Sequence, residues 1–396
     1  MAETVADLTA AVNAALSKLS PTDDIPDPAR LQLLQALDKL RGAVEPPIQS
    51  LLNICWAAHP LVAIRTAIGM GVFDAFAAAG GAELTVNELN EKTKGDKDLL
   101  DKGHFSFRIM RLLSANRLFT ETGVDKYQPQ PLALVFATGP RPVSHMILRA
   151  TAYTHEFLEA RGYQSPDDAY ETPFQRAYGT KLHHFEWLAQ HPEEQHAFNT
   201  GEQWYDFYPW EERLASEADR VLLVDIGGGK GHDLARFKEK KNPAGRLILQ
   251  DLSEVIQDIQ APLAQGIEAQ GYSMFDPQPI RGAKAYYMRT VLHDWPDKQA
   301  LQALQRIREA MADDSVLLIN ENSVPETGVP RFNASVDLIM MTVFSSLERT
   351  EKQWLSLLER AQFNVIKVWR ADNQGVGSNA LLEAVPIFIG SSGQVS

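Results

Sequence analysis

A histidine stands where a buried strand should stop in a turn. In "AYYMRTVLHDWPD", residues 285–297, an apolar run ends in His293, followed by Asp294, Trp295 and Pro296. Imidazole takes up or releases a proton near neutrality, so it suits acid–base work. Either His293 moves a proton or it closes a turn, and this stretch alone leaves both readings open. A second stretch, "VLLVDIGGGKGHDLARF", is an apolar strand, a glycine turn and a helix. Its glycines at 227, 229 and 231 let the backbone approach a ligand closely, and the helix start offers free N–H groups. A dinucleotide pattern would need a glycine at 232, which is His232. The next strand, "RLILQDL", ends in Asp251, where an acid can hold both hydroxyls of a ribose. Asp251 would also serve as a simple helix cap. The glycine turn and the acid together favour a ligand that carries a nucleoside. The sequence lacks the G-x-x-x-x-G-K-[ST] signature, which excludes a standard phosphate loop.

These residues need a scaffold, and from Arg220 onward the chain supplies one. Strand-like runs "RVLLVDIG", "RLILQDL", "AKAYYMRTVL", "SVLLINEN", "FNVIKVWRA" and "NALLEAVP" alternate with stretches 231–241, 253–270, 297–312 and 351–362 of helical pattern. Such alternation predicts an α/β, doubly wound and mostly parallel sheet, with ligands at the carboxyl ends of the strands. The N-terminal part is helical instead. A helix is expected over 1–20, a second ending near Val44, and two apolar helices from Ile48 to Phe76 split at His59–Pro60. Then Thr85 and Glu88 stand at capping-box spacing, Gly95 ends that short helix, and a second helix leads to a hairpin turning at Gly123. Helix, helix and hairpin outline a winged helix, a module that often binds DNA. The formal charge of −13 and pI near 5.3 argue against nucleic acid and favour a structural or dimerising role. Residues 140–215 are helical and rich in aromatics, which reads chiefly as core. The single cysteine, Cys55, allows no intrachain disulfide and is expected as a buried thiol in a reducing compartment. No signal peptide and no uninterrupted apolar span of membrane length is read, so a cytoplasmic protein is expected.

At this point the chain resembles the class I S-adenosylmethionine-dependent O-methyltransferases of the caffeic-acid type, especially those of fungal secondary metabolism. The resemblance runs through "HPLVAIRTAIGMGVFD", "FN" at 198–199, "LVDIGGGKGHDL", "LILQDL", "MRTVLHDWPD", "LINE" and "LERTEKQW". It implies a Rossmann-like catalytic domain at 216–396 and a helical, winged-helix-like dimerisation domain at 1–140. A helical linker and substrate-binding region would fill 141–215, and the protein would be a homodimer. S-adenosyl-L-methionine would lie along Gly227, Gly228 and Gly229, with its ribose on Asp251 beside Leu252. Met274 and Phe275 would flank adenine, and Arg289 would contact the cofactor. Ser273 replaces an acid common in the family, removing one acceptor for the adenine amino group. His293 matches the family's base, with Glu321 and Glu348 as the glutamates that flank and orient it. Acceptor contacts implied by the resemblance are Phe198, Ile339 and Met340, and the aromatic and helical pattern adds Trp204 and Met146. After "FN", Glu202 replaces an apolar family residue and bears on acceptor polarity. Asp294 and Trp295 are read as turn and packing residues.

The implied reaction moves a sulfonium methyl group in line to an acceptor oxygen. Phenol titrates near 10 and imidazole near 6.5, so full prior deprotonation would cost about 5 kcal/mol. A carboxylic acid acceptor needs no base, so the histidine favours a phenol or enol on an aromatic or polyketide-type molecule. No carboxylate or histidine cluster with metal-ligand spacing is read. The competing reading keeps the cofactor but uses it for a non-methylating cyclisation or rearrangement. A non-enzymatic module would require degraded cofactor residues.

Overall fold

The computed structural model describes residues 2–18, 25–93, 105–138, 144–191, 203–215, 219–259, 262–370 and 379–387. Contacts divide the chain near Leu52, with a small helical unit before it and a large unit after it. The large unit is built on seven strands: β4 (Val221–Ile226), β5 (Arg246–Asp251), β6 (Ile267–Gly271), β7 (Ala285–Arg289), β8 (Val316–Asn322), β9 (Phe363–Arg370) and β10 (Asn379–Pro386). Across the sheet they run β6-β5-β4-β7-β8-β10-β9. Strands β4 to β8 pair in parallel, and β10 lies antiparallel to both β8 and β9.

Both faces of this sheet are buried because neighbouring residues along each central strand are apolar and point to opposite sides. Val224, Ile226, Ile248, Tyr286, Met288, Leu317 and Ile319 enter one core, with Ala300, Leu304 and Ile307 of the helix Asp297–Arg308 and Trp354 of the helix Glu351–Arg360. Leu223, Leu247, Leu249, Tyr287 and Leu318 enter the other, with Leu234 and Phe237 of the helix His232–Lys241. Each fully buried side chain of this size contributes about 1.5–3 kcal/mol, so the strand ends stand on a rigid base. The strand order reverses beside β4, which opens a crevice at its carboxyl end.

Residues 253–270 differ from the single helix expected. They form a short helix, Ser253–Gln257, and the edge strand β6. The sequence "IEAQG" is polar because β6 lies at the sheet margin, where only Ile267 is buried, so it lacks the apolar signature of a central strand.

In the N-terminal part the helices are Ala2–Leu16, Asp27–Val44, Pro47–Cys55, Ala58–Met70 and Val72–Ala78. The break expected at His59–Pro60 falls at Trp56–Ala57, because Pro60 is accommodated in the first turn of the helix it opens. Gly71, at φ 82°, makes a second break that left-handed backbone requires. The stretch Pro47–Met70 matches a membrane span in length and composition only: Gln49, Ser50, Asn53, His59 and Arg65 interrupt it, and a turn at Trp56–Ala57 divides it into two helices. Only 17% of its most apolar window is buried, and Cys55, expected in the core, is exposed because the helix Pro47–Cys55 buries nothing. Thr85 does cap the helix Val86–Lys92, accepting from the Glu88 N–H at 3.2 Å while the Glu88 carboxylate accepts from the Thr85 N–H at 2.7 Å. Gly95 lies outside the described residues. After the helix Phe105–Ala115 comes a hairpin of β2 (Phe119–Gly123) and β3 (Lys126–Pro129), joined by the two-residue strand β1 (Leu84–Thr85).

Candidate active site

The glycine turn follows β4. Gly228 is required sterically, since a Cβ there would lie 2.5 Å from the Asp225 carboxylate and 2.6 Å from Leu249. Gly229 adopts φ 60° and faces open space, and its N–H donates to Asp251 Oδ2 at 2.8 Å. The other Asp251 oxygen accepts from the Leu252 N–H at 2.7 Å. Each oxygen keeps a lone pair for a ribose hydroxyl. Burial raises the Asp251 pKa, while the two backbone N–H groups hold it down. The open face at Gly229 and this pinned carboxylate therefore fit a nucleoside-bearing cofactor.

Two further acids lie beneath the turn, and sequence reasoning passed over them. Asp225 is buried, and burial, then Asp233 and Asp251, push it up to about 8, with Oδ2 lacking any partner. Asp233 pairs with Arg289, so the arginine expected to contact the cofactor is engaged by an acid of the adjoining helix. The signal for Asp225 was present as a carboxylate inside the apolar run "VLLVDIG". Met274 and Phe275 are half-buried after β6, and Phe275 meets Trp295 edge-on with ring centroids 4.7 Å apart. The Ser273 hydroxyl accepts from the Phe275 N–H at 3.4 Å, so it serves the turn.

His293 sits on a 3-10 turn, Leu292–Asp294, just past β7. Its Nδ1 lies 2.7 Å from Glu348 Oε1, and Asp294 Oδ1 is 3.5 Å from Nε2. Glu321 differs from the expected partner of the ring. Its Oε1 accepts from the backbone N–H groups of Val291 at 2.9 Å and Leu292 at 2.8 Å, so it holds the turn and acts on the ring through space. Burial disfavours the charged imidazole, but Asp294, Glu321 and Glu348 outweigh it and raise His293 to about 10. Burial likewise lifts Asp294 to about 7, so this residue belongs to the electrostatics of the site and is more than a turn former. The cofactor turn and the catalytic turn touch: a Cβ on Gly227 would lie 2.8 Å from Val291 Cγ2.

Ile339 and Met340 lie on the helix Arg331–Phe344, packed with Val336, Val343 and Phe344. Asp337 of that helix accepts from the Glu348 N–H at 2.8 Å, which ties it to the carboxylate beside His293. Trp204 departs from its expected place on an acceptor wall. It is buried against Phe237 and Tyr287 in the core under the sheet, as its fully apolar surroundings require. Met146 lies in the helix Ser144–Ala152. Phe198 and Glu202 lie outside the described residues.

A family model for an O-methyltransferase domain matches residues 160–364. Demethylsterigmatocystin 6-O-methyltransferase of Aspergillus flavus is 35% identical over 79% of this chain and 83% of its own length. The crystal structure of OxaC with SAH and oxaline superposes with a TM-score of 0.81 at 30% identity, covering 97% of this chain and 98% of that one. A structure described as a pericyclic reaction enzyme also gives a TM-score of 0.81, at 27% identity over 98% of this chain and all of that one.

Proposed function

Since this chain belongs to the O-methyltransferase family, we propose that it methylates a phenol or enol oxygen of an aromatic or polyketide-type small molecule, with His293 receiving the proton. S-adenosylmethionine supplies an electrophilic methyl group when bound. Asp251, Leu252 and the turn Gly227–Gly229 would hold it, with Met274 and Phe275 beside its adenine.

The 2.7 Å contact between His293 Nδ1 and Glu348 carries the reading. It fixes the tautomer and leaves Nε2 for an acceptor proton. A ring near 10 is matched to a phenol of pKa near 10, so transfer between them is close to balanced. The remaining cost is release of the resting ring's proton to solvent, which falls as pH rises. Ile339, Met340 and Phe198 are proposed to line the acceptor.

We place the dimerisation domain at 1–140, with winged-helix character, the acceptor-binding region at 141–215 and the catalytic domain at 216–396. The exposed apolar residues Leu51, Ile54, Trp56 and Leu61 support burial against a second copy of a cytoplasmic protein. A folded, active monomer at micromolar concentration by light scattering would contradict this.

A second reading draws on the carboxylates around His293: Glu348 at 2.7 Å and Asp294 at 3.5 Å favour the charged ring, an acid suited to a non-methylating cyclisation or rearrangement. Incubation with a phenolic panel and isotopically labelled methyl donor separates the readings. Label in the product supports methyl transfer, whereas turnover without label supports the second. His293→Ala should cost about 10²–10⁴-fold for weakly acidic phenols and less for acidic ones. Equal losses across the series would remove His293 as the base.

A further inference from the structure

The catalytic turn is held in an unfavourable shape from two sides. Thr290, the residue that leads into it, sits at φ 47°. A β-branched residue is rarely found there, and such strain persists only where surrounding contacts enforce it. One enforcing group is Glu321, whose carboxylate gathers two N–H groups at the start of the turn. The other is Arg349, next in sequence to Glu348 and 1% exposed. Its Nη1 donates to the Leu292 carbonyl at 2.9 Å, and its Nη2 donates to the Trp295 carbonyl at 2.9 Å. Asp297 takes up the remaining charge, with Oδ1 2.8 Å from Nη2 and 3.2 Å from Nε. The Trp354 ring lies under the guanidinium, 4.9 Å from its carbon. A buried anion thus grips the N–H groups that open the turn, and a buried cation grips the carbonyls that bracket His293.

We propose that Arg349 is a positioning residue for the reaction, fixing the backbone on both sides of His293 so that Nδ1 meets Glu348 and Nε2 faces the acceptor. The proposal rests on His293 being the base. Because Arg349 and Glu348 are adjacent, one segment sets both the turn that carries the ring and the carboxylate that orients it. The planar fork binds two carbonyls and a carboxylate through N–H groups on three separate nitrogens, a spread that a lysine's single nitrogen lacks.

The test uses the full-length protein. In Arg349→Ala the downfield proton resonance of the His293 Nδ1–H to Glu348 bond, assigned by its loss in His293→Gln, should disappear or broaden. Methyl transfer to the best phenol of the panel should fall about 10²-fold in kcat, the usual cost of misplacing a reacting group. S-adenosylhomocysteine affinity by calorimetry should fall far less than kcat, because this side chain reaches the cofactor turn only indirectly, through Val291 against Gly227 and Trp295 against Phe275. Added guanidinium ion should restore both resonance and rate, and an equal concentration of urea should not. An unchanged resonance and kcat in Arg349→Ala overturns the proposal, as does rescue by urea as well as guanidinium. If Arg349→Ala does not fold, Asp297→Asn decides: weakening of the resonance with a several-fold lower kcat supports positioning, and wild-type values for both overturn it. A wild-type protein that shows the resonance but methylates no phenol would defeat the methyl-transfer reading, while the resonance in the variants still tests the clamp.

Discussion

Replacing Glu348 with Gln keeps the shape beside His293 and removes one charge. The carboxylate lies 2.7 Å from Nδ1, where a full charge pair at an effective dielectric of 20 interacts by about 6 kcal/mol. That figure is a ceiling, because the amide oxygen still accepts a neutral hydrogen bond and Asp294 and Glu321 remain. The difference between a charge-assisted and a neutral bond is about 1–2 kcal/mol, so the ring's pKa should fall by about 0.7–1.5. From about 10 in the native protein it moves toward about 9. Two observables follow. The His293 ring nitrogens, followed by NMR in labelled free protein, should titrate with a midpoint lower by that amount. The methyl-transfer rate, which rises with pH as the ring loses its proton, should level off at correspondingly lower pH, with a lower plateau because the weaker base accepts the phenol proton less readily. An unmoved titration midpoint would falsify the account of what holds the ring charged. A moved midpoint with an unmoved rate profile would show that another group limits the reaction.

Asp251→Ala should weaken S-adenosylhomocysteine binding by about 1.5–3 kcal/mol, since the ribose hydroxyls lose a charged acceptor; calorimetry with unchanged affinity removes Asp251 from the site. Gly228→Ala should lower both cofactor affinity and melting temperature, because the new methyl meets Asp225 at 2.5 Å and Leu249 at 2.6 Å, an overpacking cost of about 1–3 kcal/mol. Gly229→Ala meets no neighbour but is strained at φ 60°, so it should lower stability through the backbone alone, and a Gly228→Ala protein as stable as the native one would discard the crowding. Asp225 is raised by burial, then by Asp233 and Asp251, to about 8. Its stabilising contribution is therefore fully present below the unfolded value near 4 and is lost as pH rises through about 8. Asp225→Asn should flatten the decline of melting temperature between about pH 4 and 8, and parallel curves for the two proteins would discard this origin.

The central strands were legible because burial on both faces leaves uninterrupted apolar runs, as in "VLLVDI" and "AYYMR". The same logic hid β6, whose exposed edge needs no such run. The candidate catalytic residues could be placed because each lies at or near the end of a recognisable element. What Glu321 bonds to could not be read, since a carboxylate's choice between an imidazole and two backbone N–H groups depends on a few ångströms of turn geometry. Asp225 was passed over and Asp294 read only as a turn residue for a related reason: their importance lies in how much water is excluded around them, and burial is set by residues distant in sequence. Trp204 and Cys55 erred in opposite directions, because aromatic or apolar character signals burial without naming the surface that provides it.

The contact between Gly227 and Val291 also bears on how this protein can change over generations of mutation. No side chain can be added at 227 without displacing the residue that leads into His293, so cofactor grip and proton chemistry are inherited as one block. The helix Arg331–Phe344 is joined to that block by the Asp337 carboxylate on the Glu348 N–H and by its packing against the turn Leu292–Asp294. On the proposed assignment of Ile339 and Met340 to the acceptor wall, substitutions there would change acceptor choice without touching His293 or Glu348. A change at Asp337 would alter acceptor choice and catalysis together. Diversity of product in such a scaffold is expected to accumulate along one face of one helix.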